Sequence, residues 1–249
     1  MAANTVKEFH DSSCTENTLN RDTQGNMFEK ISSLWIEEPR PQNILDLGCG
    51  AGAVTSELVR RGHAVYGLDL QDEAVRRASA EGLHAQLWDL NQGLPFDDQC
   101  FDVAVATDVI EHVFDPLALL REVHRTLKDE GYAILGIPQH FDILQRLRML
   151  FGKGIVTAEY KFYCADYRSW NYAHIRLFTL RECFQVVRAA GFKVEKSELL
   201  GIPLFPYPRP YRAALRVFCN RYSRWFFPSL FSGGVRLRAR KRFRAAAAQ

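Results

Sequence analysis

A doubly wound α/β fold is what this sequence predicts: a mostly parallel, seven-stranded sheet with an antiparallel last strand and with helical and aromatic insertions. Three observations predict it. Short apolar runs alternate with helical segments from Asn43 to Pro138, the pattern of a parallel sheet whose right-handed crossovers place helices on both faces. The first run leads straight into "GCGAG" at 48–52, where glycines permit a tight turn. The last strand pattern, "GGVRLRARK", alternates Val235, Leu237 and Ala239 with arginines.

Taken in order, "NILDLG" is the first strand and Ala53–Arg61 a helix. "AVYGLDL" is a second strand and "DEAVRRASAEG" a second helix, followed by "LHAQLWDL" as a third strand. "FDVAVAT" is nearly continuous in apolar residues, as expected of a strand buried on both faces. "DPLALLREVHRTLKDEG" reads as a helix with Leu117, Leu120, Val123, His124 and Leu127 on one face and a glycine stop at Gly131. "GYAILGIP" is the fifth strand. In "FTLRECFQVVRAAGF", Thr179 and Glu182 have capping-box spacing ahead of a helix whose apolar face is Cys183, Val186, Val187 and Ala190. "FKVEKSELLGIP" is a strand, and "GGVRLRARK" reads as a half-solvated antiparallel edge strand with Arg236, Arg238 and Arg240 facing water. Residues 1–40 form an N-terminal extension with one helix around Met27–Trp35, and the domain proper covers 41–249. Two stretches leave the repeat, at about 138–178 and 203–231, and the ligand-binding end of an open sheet is where such loops lie.

Composition narrows the classes. No run approaches the apolar length of a membrane-spanning helix, and the N-terminus lacks the basic-then-apolar order of a signal peptide. The cysteines at 14, 49, 100, 164, 183 and 219 have neither CxxC nor metal-like spacing, so reduced thiols and a cytoplasmic setting are expected. The net charge of +3 conceals an asymmetry: residues 204–249 hold 11 Lys and Arg and no acid, which leaves the first 203 residues at −8. Such a tail suits an anionic partner or a solvated surface.

Gly48, Gly50 and Ala53 satisfy G-x-G-x-x-[GA], the dinucleotide pattern, so an NAD-dependent oxidoreductase is one reading. Asp46 argues otherwise, because a carboxylate inside the strand repels a pyrophosphate and suits a cationic, phosphate-free cofactor. "ILDLGCGAG" resembles motif I of the class I S-adenosylmethionine-dependent methyltransferases, an apolar strand followed by D-x-G-x-G-x-G. "WDLNQGLPFDDQCFDVAVATDVIEHVFDP" and "LLREVHRTLKDEGYAILGIP" are similar to the blocks that follow in that family, so the resemblance spans roughly 40–140. It implies a Rossmann-like fold and S-adenosylmethionine as cofactor. By the same resemblance Asp46, Gly48, Gly50 and Gly52 form the cofactor loop, and Asp69 and Leu70 meet the ribose. Asp89 and Leu90 then meet the adenine, and Thr107 lies beside the methionine portion. Taken singly, Asp69 is also a candidate helix N-cap and Asp89 an ordinary turn acid.

A sulfonium methyl is already activated, so the chain mainly positions an acceptor and excludes water; a base is needed only for an acceptor that loses a proton. "DVIEH" supplies Asp108, Glu111 and His112 directly after the fourth strand, a histidine base with adjacent carboxylates. The stretch also resembles the E-x-x-E-H cluster of ubiquinone-biosynthesis O-methyltransferases, where the side chains are associated with a divalent metal. A third reading is that Glu111 and His112 only shape the loop, and no metal ligand set is assigned. His174, in "NYAHIRLFT", is a second catalytic candidate or a loop hydrogen-bonder, and Arg176 an anion clamp or a surface charge. Similar H-x-R-x-F-T segments occur in the MetW-like branch and in relatives from polysaccharide-type pathways.

In 209–227, Tyr211, Leu215, Phe218, Tyr222 and Trp225 recur at helical spacing with arginines between them, and "FDILQRLRMLF" has the same character. This fits peripheral membrane contact through 207–228, or burial on the core. No nucleic-acid-binding module accompanies the arginines, so no nucleic acid is expected. The sequence thus points to methyl transfer to an oxygen of a small-molecule, lipid or glycan-precursor acceptor, the absence of an N-directed N/D-P-P-Y after the fourth strand disfavouring nitrogen. A catalytically silent, cofactor-binding regulatory partner is the alternative.

Overall fold

The structure, a computed structural model, describes residues 35–36, 40–155, 174–201 and 226–242. The predicted helix at Met27–Trp35, apart from Trp35, and the basic aromatic stretch at 209–225 lie outside the described residues.

The parallel half of the sheet comprises β1 (Asn43–Leu47), β2 (Ala64–Asp69), β3 (His84–Leu87), β4 (Phe101–Thr107) and β5 (Leu127–Pro138). The remaining strands are β6 (Phe192–Leu200) and β7 (Gly234–Lys241), and the order across the sheet is β3-β2-β1-β4-β5-β7-β6. β1 pairs with β2 and β4, β2 with β3, and β4 with β5, all parallel, while β7 is antiparallel to β5 and β6. The described helices are α1 (Ser56–Arg60), α2 (Asp72–Ala80), α3 (Pro116–Thr126), α4 (Ile143–Leu150), α5 (Leu180–Ala189) and α6 (Pro228–Phe231). Strand order reverses between β1 and β4, and the loops leaving their carboxyl ends flank the crevice where ligands of such sheets sit.

Alternation in the strands builds the two faces of the core. Leu45, Leu47, Ala104, Ala106, Leu135, Ile137, Val235 and Leu237 pack on one side with α3 and α5; Ile44, Val103, Val105, Tyr132 and Ile134 pack on the other. Each fully buried Leu, Ile or Val contributes roughly 1.5–3 kcal/mol. α5 opens with the predicted capping box, the Thr179 side chain accepting from the Glu182 backbone and the Glu182 carboxylate accepting from Thr179 N at 2.8 Å.

Two expectations are corrected. α3 stops at Thr126 instead of running to Gly131, because Leu127 turns extended and pairs with Phe101 of β4. Helical periodicity cannot register such a partner. β7 is no edge strand: it lies between β5 and β6, with Arg236 buried and Arg238 and Arg240 only partly exposed. Arg236 is 1% exposed, donates to its cross-strand partner Glu198 at 2.8 Å and lies 5.4 Å from the Trp35 ring centroid. Arg238 stacks 3.9 Å over Tyr132, and Arg240 donates to Glu195 at 2.6 Å. Part of the cationic tail is therefore neutralised within the sheet.

Candidate functional site

At the carboxyl end of β1 the chain turns through Gly48, Gly50 and Gly52 with φ of 65°, 50° and 75°, the left-handed region where a side chain is strained. A Cβ on Gly48 would lie 2.9 Å from Val109 Cγ2, so this glycine couples the β1 loop to the loop after β4. A Cβ on Gly52 would press on Leu83 and Ala78 at 3.1 and 3.3 Å. These two glycines thus serve internal packing as well as the turn.

The N–H groups of the loop decide what it can hold. Gly48 N and Cys49 N donate to Leu68 O at 2.8 and 3.0 Å, and Gly52 N donates to Cys49 O at 2.9 Å. Gly50 N donates to Asp69 Oδ2 at 2.8 Å. A phosphate cradle needs such donors aimed outward, and here they are engaged by the protein's own acceptors. Two carboxylates flank the loop instead. Asp46 is buried, with Thr55 Oγ1 donating to it at 2.6 Å; Asp69 also accepts from Gln71 N at 2.9 Å. A loop flanked by acids, with these four N–H groups already engaged, fits a cofactor with cationic and hydroxyl groups and no phosphate.

The other predicted cofactor residues lie at or after the carboxyl ends of β2, β3 and β4, the same end of the sheet as this loop. Leu70 follows β2, half-buried, and Trp88 N donates to Asp69 O at 2.8 Å, drawing the segment after β3 to the same end. Asp89 caps the short 3-10 turn Leu90–Gln92, accepting from Asn91 N at 2.9 Å, while Leu90 rests on the core. Asp69 does not cap α2; that position belongs to Gln71. Thr107 ends β4 opposite Gly136 of β5.

Beyond Thr107, Asp108 adopts a left-handed φ of 53° and the chain enters the 3-10 turn Ile110–His112. This separates the acids of "DVIEH". Asp108 is exposed, within electrostatic reach of Arg236, whose charge it favours. Glu111 is fully buried and meets two imidazoles: His112 Nε2 at 3.8 Å and His174 Nε2 at 4.0 Å from its Oε1. Among the described residues, Glu111, His112 and His174 are brought together, with one potential ligand atom from each lying within 4.8 Å of the others. The third member is thus His174, not Asp108.

His174 arrives there because its segment is stitched to the β4 loop. Ile175 N and Arg176 N both donate to Glu111 O at 3.0 Å, and the Arg176 guanidinium donates to Phe114 O. Arg176 is therefore a loop clasp in this structure. Motif reasoning missed His140, which follows β5 and contacts His174 Nδ1 through Nε2 at 2.8 Å. The available signal was only its place, just past the carboxyl end of a central strand. Burial pushes His140 down to about 4 and His174 down to about 2, with repulsion between neighbouring imidazoles adding to both shifts. Both rings are neutral near neutral pH.

A family model described as a methyltransferase domain matches residues 19–197. The ubiquinone biosynthesis O-methyltransferase of Psychrobacter arcticus (strain DSM 17307 / VKM B-2377 / 273-4) is 28% identical over 187 residues, covering 72% of this chain and 69% of the relative. The ubiquinone/menaquinone biosynthesis C-methyltransferase UbiE of Ruegeria sp. (strain TM1040) is 32% identical over 187 residues, covering 68% of this chain and 73% of the relative. Among solved structures, a SAM-dependent methyltransferase from Archaeoglobus fulgidus has a TM-score of 0.62 at 16% identity, covering 92% of this chain and all of that one, a likeness of fold. The two sequence relatives differ in the atom they are named for methylating.

Proposed function

We propose that this chain, which belongs to the class I S-adenosylmethionine-dependent methyltransferases, methylates an oxygen of a small-molecule, lipid-linked or glycan-precursor acceptor, with His112 as base and Glu111 as its orienter. The observation that carries this reading is the buried carboxylate set against two imidazoles just past the end of β4, beside the glycine loop. When bound, S-adenosylmethionine supplies an activated methyl electrophile. Asp46, Gly48, Gly50, Gly52, Asp69, Leu70, Asp89, Leu90 and Thr107 are the residues that would hold it. Catalysis then rests on holding the acceptor hydroxyl in line with that methyl group and on excluding water. His112, 23% exposed at its side chain, would take the hydroxyl proton, and the Glu111 carboxylate would stabilise the resulting imidazolium.

His112→Gln is expected to lower turnover by about 10²–10⁴-fold while leaving S-adenosylhomocysteine affinity within about twofold. The check is transfer of a labelled methyl group into polar and lipid extracts, with calorimetry beside it. An unchanged rate in His112→Gln would remove the base. Extracts left unlabelled by the unmodified protein would favour the silent, MetW-like alternative.

An acceptor near a lipid surface is supported by α4 and the turn after it, which expose Leu147, Leu150 and Phe151 with Arg146 and Lys153 alongside. Salt-sensitive co-sedimentation with anionic vesicles is expected, and it should weaken on deleting 207–228 or on introducing Leu150→Glu with Phe151→Glu. Failure of the unmodified protein to sediment with the vesicles would sink this part of the proposal.

A further inference from the structure

The histidine at position 140 belongs to no motif, yet its hydrogen bonds set a direction for the whole cluster. Phe178 N donates to His140 Nδ1 at 3.2 Å, and His140 N donates back to Phe178 O at 2.9 Å. A backbone N–H can only donate, so Nδ1 of His140 carries a lone pair and the ring proton sits on Nε2. That Nε2 lies 2.8 Å from His174 Nδ1, which must then accept. The proton of His174 is consequently on its own Nε2, the nitrogen 4.0 Å from Glu111 Oε1. His112 Nε2 approaches the same oxygen at 3.8 Å.

We infer that His140 is a positioning residue: by fixing the tautomer of His174 it turns a second imidazole N–H, at 4.0 Å, towards the Glu111 carboxylate that also faces His112. The inference rests on the reading of Glu111 and His112 as orienter and base. Both ends of the relay are anchored in backbone. Phe178 and His140 exchange their two hydrogen bonds at one end, while Glu111 O receives Ile175 N and Arg176 N at the other. His140 and His174 stay neutral because burial disfavours their charged forms, so the direction persists through the neutral range. The same polarity opposes a cation between Glu111, His112 and His174. Coordination through His174 Nε2 requires a lone pair there, which would move the proton to Nδ1 and set it against the N–H of His140.

Histidine-labelled full-length protein, observed by long-range proton–nitrogen correlation, tests this without any acceptor. His174 is expected as the Nε2–H tautomer in the unmodified protein. It should remain so in His140→Gln, whose amide N–H replaces the donor, and should lose that pattern in His140→Met. Thermal unfolding and S-adenosylhomocysteine calorimetry confirm that each variant is folded with its cofactor loop intact. If His140→Met does not fold, the tautomer in the unmodified protein and in His140→Gln still decides. A Nδ1–H tautomer at His174, an unchanged pattern in His140→Met, or stoichiometric Zn²⁺ shifting His112 and His174 together would overturn the inference. Full turnover in His112→Gln with the Nε2–H tautomer present would instead reject the base and leave the relay standing.

Discussion

Asp69→Ala is expected to weaken S-adenosylhomocysteine binding by about a hundredfold, with Asp69→Asn between the two, as read by calorimetry. The carboxylate joins two loops, Oδ2 accepting from Gly50 N at 2.8 Å and Oδ1 from Gln71 N at 2.9 Å. Hydrogen bonds to a charged acceptor contribute roughly 1.5–3 kcal/mol each, and losing two leaves Gly50 N without the acceptor that shapes the glycine turn. A loss of about 3 kcal/mol at the site corresponds to about a hundredfold in affinity. Each oxygen has a second lone pair for a ribose hydroxyl, so the same side chain serves loop and ligand. Asparagine keeps one acceptor oxygen, hence the intermediate value. Native affinity in Asp69→Ala would show that the carboxylate serves neither.

The second large effect is on acid stability. The urea midpoint is expected to fall steeply as pH drops from 6.5 towards 4, offset only in part by Asp142, whose carboxyl burial pushes up. His140 titrates at about 4 and His174 at about 2 in the folded protein, against 6.5 for an ordinary histidine. Below pH 6.5 the unfolded chain binds protons that the folded chain refuses, so their contribution is complete above 6.5 and is lost as pH falls. At pH 5 this amounts to roughly 2 kcal/mol per histidine. His63, held down by burial, acts in the same direction. Glu57, Glu73 and Glu122 are held below the usual carboxylate range by hydrogen bonds from arginines, so their losses come at lower pH. In His140→Gln the slope between pH 6.5 and 5 should be visibly shallower. A flat midpoint over that interval in the unmodified protein would mean that both rings are charged and paired when folded.

Particular elements show where local chemistry sufficed. β4 has the predicted bounds of Phe101–Thr107, because a run apolar at five of its seven positions suits a strand buried on both faces. The capping box at Thr179 and Glu182 formed because its partners are three residues apart. The glycine loop with Asp46 and Asp69 was legible because each belongs to a strand end that periodicity locates. α3 was overrun because Leu127 answers to Phe101, a residue distant in sequence. β7 read as an edge because alternation reports one buried face and says nothing of a neighbour such as β6. Within the acid–histidine cluster, Glu111 and His112 are visible as a motif and His174 as a separate candidate, whereas nothing local says that His174 and not Asp108 joins them.

By itself the sequence determined the alternating α/β order, the family and the glycine turn after β1, since these follow from patterns within a few residues and from their spacing. Only the tertiary structure decided that Arg236 is buried, that the N–H groups of Gly48, Cys49, Gly50 and Gly52 are engaged and that His140 meets His174. Hydrogen-bond direction and burial are properties of surroundings, and here those surroundings come from strands and loops far apart along the chain.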